Sequence, residues 1–206
     1  MIEEIIPGNK TRLKIIKSIY ENPRVNLTGL IKKVKASPNL VLEYVNKLSS
    51  YQIIKEERTK GEKKIHVRNL IADFDNDISK IIYSIIEINK RLEFLRKYKN
   101  LKPIFEQLTK ESKNIDFIII YGSYARLAAE KDSDLDVIII GKLNDNEINW
   151  IREIFITLEG ELSLKIETIN DFLKNKNKPL YQNILKEHII MNGVEKFMNI
   201  MNKVNM

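Results

Sequence analysis

An α+β fold in two parts, with a long helix between them, is what this sequence predicts, and three features carry that expectation. The first third is rich in helical apolar spacing and ends in two short β-prone runs. A stretch from Asp73 to about Tyr98 has no Gly or Pro and keeps helical periodicity throughout. Beyond it, buried-strand runs at 117–120 and 137–140 alternate with helical segments, the pattern of an α/β domain with a mixed sheet. The expected boundaries are 1–70, 71–100 for the connecting helix, and 101–206.

Composition narrows the partners. Residues 1–70 hold 15 Lys and Arg against 7 Asp and Glu, a net charge of +8, whereas residues 71–206 hold 20 against 21, a net of −1. A compact basic module points to a polyanion, because phosphates neutralised by Lys and Arg release their counterions on binding. There is no cysteine, and the two histidines, His66 and His188, lie far apart, so any metal site must be built from carboxylates. No apolar run approaches the roughly 20 residues needed to cross a bilayer, and no export signal is visible, so a cytoplasmic protein without a membrane partner is expected.

In the first third, residues 10–21 read as a helix with Leu13, Ile16 and Ile19 or Tyr20 on one face, ending before Pro23. A second helix starts near Leu27, and a third opens with Ser37 as N-cap and Pro38 at the first helical position, burying Val41, Tyr44, Val45 and Leu48. Residues 53–58 and 63–68 read as two strands joined by Thr59 to Glu62, with Gly61 supplying the turn. Three helices followed by a basic hairpin resemble a winged helix-turn-helix domain. The resemblance implies duplex DNA as partner, with the third helix in the major groove and the wing along the backbone. Asn39, Glu43, Asn46 and Lys47 then face the bases, and Arg58, Lys60, Lys63 and Lys64 lie near phosphates.

In the long helix, Phe74, Ile78, Ile81, Ile85, Ile88, Leu92 and Leu95 recur in steps of four and three, a heptad seam. A homodimer is the expected use of that seam; packing inside one chain is the other.

From Ile115 the sequence reads IDFIIIYGSYARLAAEKDSDLDVIIIG: a strand, a turn at Gly122-Ser123, a short helix, a loop and a second strand. Gly122 lets backbone approach a phosphate, Ser123 offers a hydroxyl, and the amides opening the helix favour an anion. Asp134 and Asp136 are two apart on a strand and share a face, which makes a Mg²⁺ (or Mn²⁺) site suited to nucleoside triphosphates. The combination resembles the signature of the DNA polymerase beta nucleotidyltransferase superfamily, in its minimal archaeal and bacterial form, over about residues 101–195. That resemblance implies transfer of a nucleoside monophosphate, AMP from ATP, to an acceptor hydroxyl, with Arg126 near the phosphates. It also suggests an acceptor on a small molecule or a protein, as in antitoxins that modify a HEPN-class toxin.

Two departures accompany it. Leu127 stands where a small residue, often glycine, follows the arginine. Lys165 falls where the third carboxylate is expected, and Glu167 lies one step further along the strand ELSLKIETI. Either Glu167 completes the catalytic set as base or the set is incomplete, which leaves a non-catalytic DNA-binding regulator with a nucleotide-sensing domain as the alternative.

Overall fold

The computed structural model describes residues 10–60, 66–156 and 161–205, and the chain divides into two compact units at Tyr83–Ser84. The first contains α1 (Lys10–Glu21), β1 (Val25–Asn26), α2 (Leu27–Val34), α3 (Pro38–Ser50), β2 (Ile54–Lys60), β3 (His66–Ala72) and the start of α4 (Asp77–Lys97). Local chemistry sets the helix starts. The Asn26 side chain accepts from Gly29 N at 2.7 Å, and Ser37 Oγ accepts from Leu40 N ahead of Pro38. The apolar faces of the three helices, among them Ile15, Ile16, Ile19, Leu30, Val41, Tyr44, Val45 and Leu48, close one core under an antiparallel sheet of order β1-β3-β2.

Two expectations shift here. The second strand runs through His66–Ala72, past the expected end at 68, because Leu70 and Ala72 are the residues buried opposite Glu56 and Ile54. Its partner β1, too short to show periodicity, pairs Val25 with Leu70 and Asn26 with Asn69. Gly61, Glu62, Lys63 and Lys64, part of the expected turn and wing, lie outside the described residues.

The long helix forms as expected from Asp77, but it turns a different face inward. Ile82, Tyr83, Ile86 and Phe94 are buried, whereas Ile78, Ile81, Ile85, Ile88 and Leu92 of the heptad seam are between 37% and 60% exposed. Tyr83 fixes the rotation within the first unit. Its hydroxyl donates to the Ile53 carbonyl at 2.7 Å, and its ring stacks on Tyr20 with centroids 5.0 Å apart. The chain's own core has therefore taken the stripe next to the seam.

In the second unit, α5 (Lys102–Glu111), β4 (Ile115–Tyr121), α6 (Gly122–Ala125), β5 (Leu135–Gly141), α7 (Asp145–Phe155), β6 (Leu162–Glu167), α8 (Ile169–Asn175), α9 (Pro179–Lys186), β7 (Ile189–Asn192) and α10 (Val194–Asn205) follow in order. The sheet runs β6-β5-β4-β7, with β5 and β6 parallel and the other pairs antiparallel. Nearly every β4 and β5 residue is apolar because both faces are covered. Ile118, Ile120, Val137 and Ile139 pack with Phe105, Leu108, Ile151 and Phe155 on one side. On the other, Phe117 meets Phe172 and Phe197 edge-on at 6.1 and 5.6 Å. The strand β7 was hidden because Ile189-Ile190-Met191 is too short to be told from helix by periodicity.

His188 is buried, as expected of a structural histidine, and its Nε2 lies 3.3 Å from Oε1 of the fully buried Glu87, which also pairs with Lys90 at 2.8 Å. Burial raises the Glu87 pKa, but the charges of His188 and Lys90 outweigh it and hold the group at about 2, below its ordinary 4.5. A depressed carboxylate stabilises the fold fully above its unfolded value and loses that contribution as pH falls through the folded one. Denaturant unfolding of the wild type is therefore expected to weaken between pH 4.5 and 2, and Glu87→Gln to remove that part of the acid dependence while lowering stability near neutrality.

Candidate functional site

The C-terminal site is assembled where β4 ends beside the start of β5. Register pairs Tyr121 with Asp136, so the Gly122-Ser123 turn leaves β4 next to that carboxylate. Gly122 has φ +71, and a Cβ on it would lie 2.3 Å from Asp136 Oδ2. Only glycine fits this position, for its left-handed backbone and for the space. The short α6 then projects from the turn. Asp134 precedes β5 and is exposed, while Asp136 is half-buried on the same face. The structure thus brings together Gly122, Ser123, Asp134 and Asp136.

Arg126 is placed differently. Its Nη1 lies 3.4 Å from Glu187 Oε2 in an exposed ion pair. Leu127, one residue on, has φ +57, and its N–H donates to the Tyr124 carbonyl at 3.0 Å. This left-handed residue is the physical reason a glycine is favoured there; leucine holds the conformation at a cost of about 1 kcal/mol and packs its side chain on the core.

Glu167 does not reach the aspartates. In the parallel pairing Asp136 faces Ser163, Ile138 faces Lys165 and Ile140 faces Glu167. Four residues of strand separate Glu167 from Ser163, about 13 Å. Glu167 is also engaged locally: Lys165 Nζ lies 2.7 Å from its Oε1, and the Tyr181 hydroxyl donates to the same oxygen at 2.5 Å. Lys165 Nζ in turn donates to Tyr181 Oη. The hydrogen bonds with Glu167 and Tyr181 raise the Lys165 pKa, so an ammonium sits there with its charge balanced by the neighbouring carboxylate. Strand alternation shows which face Glu167 shares but not how far along it lies, and the register sets it four residues beyond the partner of Asp136.

A carboxylate the sequence reading missed stands nearer. Leu135 N donates to Glu161 O at 2.9 Å, and continuing the β5–β6 register by one residue sets Glu161 beside Asp134. Both line an open cleft of about 810 Å³, with Tyr98, Tyr124, Glu130 and Asp132 around it. Its signal in the sequence is parity with Ser163 and Lys165 on the same strand. Among the described residues no group of three Asp, Glu or His is drawn close enough to hold a metal without rearrangement. The donors are nonetheless all hard oxygens, the set that suits Mg²⁺ or Mn²⁺, and the Asp136 carboxylate fills the space beside the Gly122 backbone.

In the N-terminal unit, Asn39, Glu43 and Asn46 are exposed on α3, Lys47 is partly buried, and Arg58 is exposed on β2. Of Lys60 only the backbone is described, and Lys63 and Lys64 lie outside the described residues.

An antiparallel strand pair joined by a glycine-serine turn to paired aspartates defines a nucleotidyltransferase-type domain, and three helices with a hairpin define a winged helix-turn-helix. Family models agree: residues 99–195 match "Polymerase beta, Nucleotidyltransferase" and residues 9–55 match "Winged helix-turn-helix DNA-binding". The protein thus joins a winged helix-turn-helix DNA-binding domain to a nucleotidyltransferase domain of the polymerase beta family. A search of curated proteins returned no match. Among the described residues no helix is long and apolar enough to cross a membrane.

Gly122→Ala is expected to destabilise the C-terminal unit by about 1–2 kcal/mol in denaturant unfolding, from the left-handed backbone together with displacement of the Asp136 carboxylate. Leaving the midpoint unchanged contradicts the close approach.

Proposed function

We propose that the C-terminal domain transfers a nucleoside monophosphate, AMP from ATP, to an acceptor hydroxyl. The observation that supports this reading is the packing of the Gly122-Ser123 turn against the Asp136 carboxylate. Asp134 and Asp136, with Glu161 in the third position, would hold Mg²⁺ or Mn²⁺, which when bound supplies charge to the phosphates and lowers the pKa of the attacking hydroxyl. Gly122 and Ser123 bind the triphosphate through backbone N–H groups and a hydroxyl. The acceptor oxygen attacks the α-phosphorus, the bond to the bridging oxygen breaks, and pyrophosphate leaves. Glu161, exposed at the cleft, takes the proton. Following the resemblance to antitoxins, the acceptor is a side-chain hydroxyl of a HEPN-class partner protein.

Incubation with α-labelled ATP, Mg²⁺ and cell extract tests the assignment. Asp134→Asn with Asp136→Asn is expected to lower label transfer by about 100-fold or more, Glu161→Gln to lower it strongly, and Glu167→Gln to leave it near wild type. Loss of transfer with Glu167→Gln but not Glu161→Gln reverses the roles given to the two glutamates. Absence of three gathered carboxylates among the described residues favours one other reading, a non-catalytic regulator that senses nucleotide. ATP binding without any transfer, together with DNA binding, selects it.

The exposed stripe on α4 supports a homodimer. Ile78, Ile81, Ile85, Ile88 and Leu92 keep a 3-4 spacing that is self-complementary, and an antiparallel second copy sets Asp77 near Arg91, charge against charge. Pairing two DNA-binding domains raises affinity by making the second contact intramolecular. Light scattering at tens of micromolar is expected to give twice the chain mass, and Ile85→Glu, a change on the exposed stripe, to give the monomer. A wild-type monomer at that concentration ends the proposal.

A further inference from the structure

At the junction between α3 and the wing sheet, side chains of β2, β3 and the helix form a hydrogen-bonded network. Arg68 on β3 donates through Nε to Glu56 Oε2 at 2.5 Å and through Nη2 to Glu56 Oε1 at 2.6 Å, a two-pronged pair that fixes the plane of the guanidinium. Glu56 is also hydrogen-bonded to Ser49 at the end of α3. From this fixed position Arg68 Nη2 donates to Asn46 Oδ1 at 2.7 Å. Asn46 is exposed on α3, the helix that a winged helix-turn-helix sets in the major groove.

A guanidinium has only donors, so the Asn46 atom that faces it must be the oxygen, and the amide orientation follows from chemistry. An asparagine reads adenine by accepting from N6–H and donating to N7 with the same amide. Here one lone pair of the oxygen accepts from a guanidinium 2.7 Å away, so an adenine amino group approaching the second lone pair comes up beside a cation whose N–H groups repel its own. Register sets Arg58 directly across from Arg68, and Arg58 is exposed, which adds positive charge on the same side of the sheet. The unengaged part of the Asn46 amide is its NH₂, a donor, surrounded by cationic groups that favour acceptors.

Resting on the DNA-binding reading of this domain, we infer that Asn46 reads DNA only as a hydrogen-bond donor, held in that orientation by Arg68 and Glu56, and so selects guanine, whose O6 and N7 are both acceptors, over adenine and thymine, which present one acceptor each, and cytosine, which presents a donor. Asn46 is the base-reading residue; Arg68 and Glu56 are positioning residues that act through it.

The test is selection of full-length protein on a duplex pool with a randomised segment, followed by anisotropy titrations on the selected site. The wild type is expected to prefer guanine by about 10-fold over adenine at one position in each bound site, and Asn46→Ala to lose the preference at that position alone. Asn46→Asp, which leaves Arg68 its partner but removes the donor, is expected to shift the choice to cytosine, whose amino group donates. Arg68→Met, which frees the oxygen, is expected to raise adenine toward parity with guanine. Adenine preference in the wild type, or a preference that Asn46→Asp does not move, overturns the inference while leaving DNA binding intact. Failure of the wild type to bind any duplex at low salt removes the DNA-binding reading and the inference together.

Discussion

Contact between a glycine and a carboxylate organises the C-terminal domain. Gly122 sits so close to Asp136 that one methyl group would collide with the carboxylate oxygen, and this closeness requires β4 and β5 to be adjacent, antiparallel and in one register. That register in turn requires a sheet covered on both faces, since β4 and β5 have almost no polar residues to offer solvent. The helices on either side are there to bury those faces. The functional turn and the aromatic packing of Phe117, Phe172 and Phe197 are thus two consequences of one sheet.

The edge strand β6 shows how the same sheet separates residues that look equivalent on paper. Ser163, Lys165 and Glu167 share a face, yet only the N-terminal end of β6 lies near the aspartates, because parallel pairing with β5 carries each later residue about 3.3 Å further away. Lys165 and Glu167 satisfy one another and Tyr181 instead. Glu161, just before β6, is exposed beside Asp134.

Polar side chains also discriminate in the N-terminal domain. Glu56 and Arg68 are diagonal neighbours across β2 and β3 and tie the sheet to α3 through Ser49 and Asn46. In an otherwise apolar interface such directional bonds fix the angle between helix and wing, which hydrophobic burial alone leaves loose. The tyrosine at 83 acts similarly for the long helix, choosing by one hydrogen bond and one ring stack which stripe is buried.

Alternation, capping residues and charge determined much of this protein by themselves. Ser37-Pro38 announces α3 because an N-cap and a fixed φ are local properties, and Gly122-Ser123 followed by Asp134 and Asp136 announces the nucleotidyltransferase domain because turn, strand parity and carboxylate type are local too. Short elements escaped such a reading: Val25-Asn26 and Ile189–Asn192 become strands only because β3 and β4 offer them open edges. The tertiary structure alone decided that Glu167 pairs across from Ile140 and not from Asp136, that Glu161 lies beside Asp134, that Arg126 turns to Glu187, and that the isoleucine seam faces outward. Each of these depends on register, distance or helix rotation, and those quantities are set by contacts between residues far apart in the chain, which periodicity does not encode.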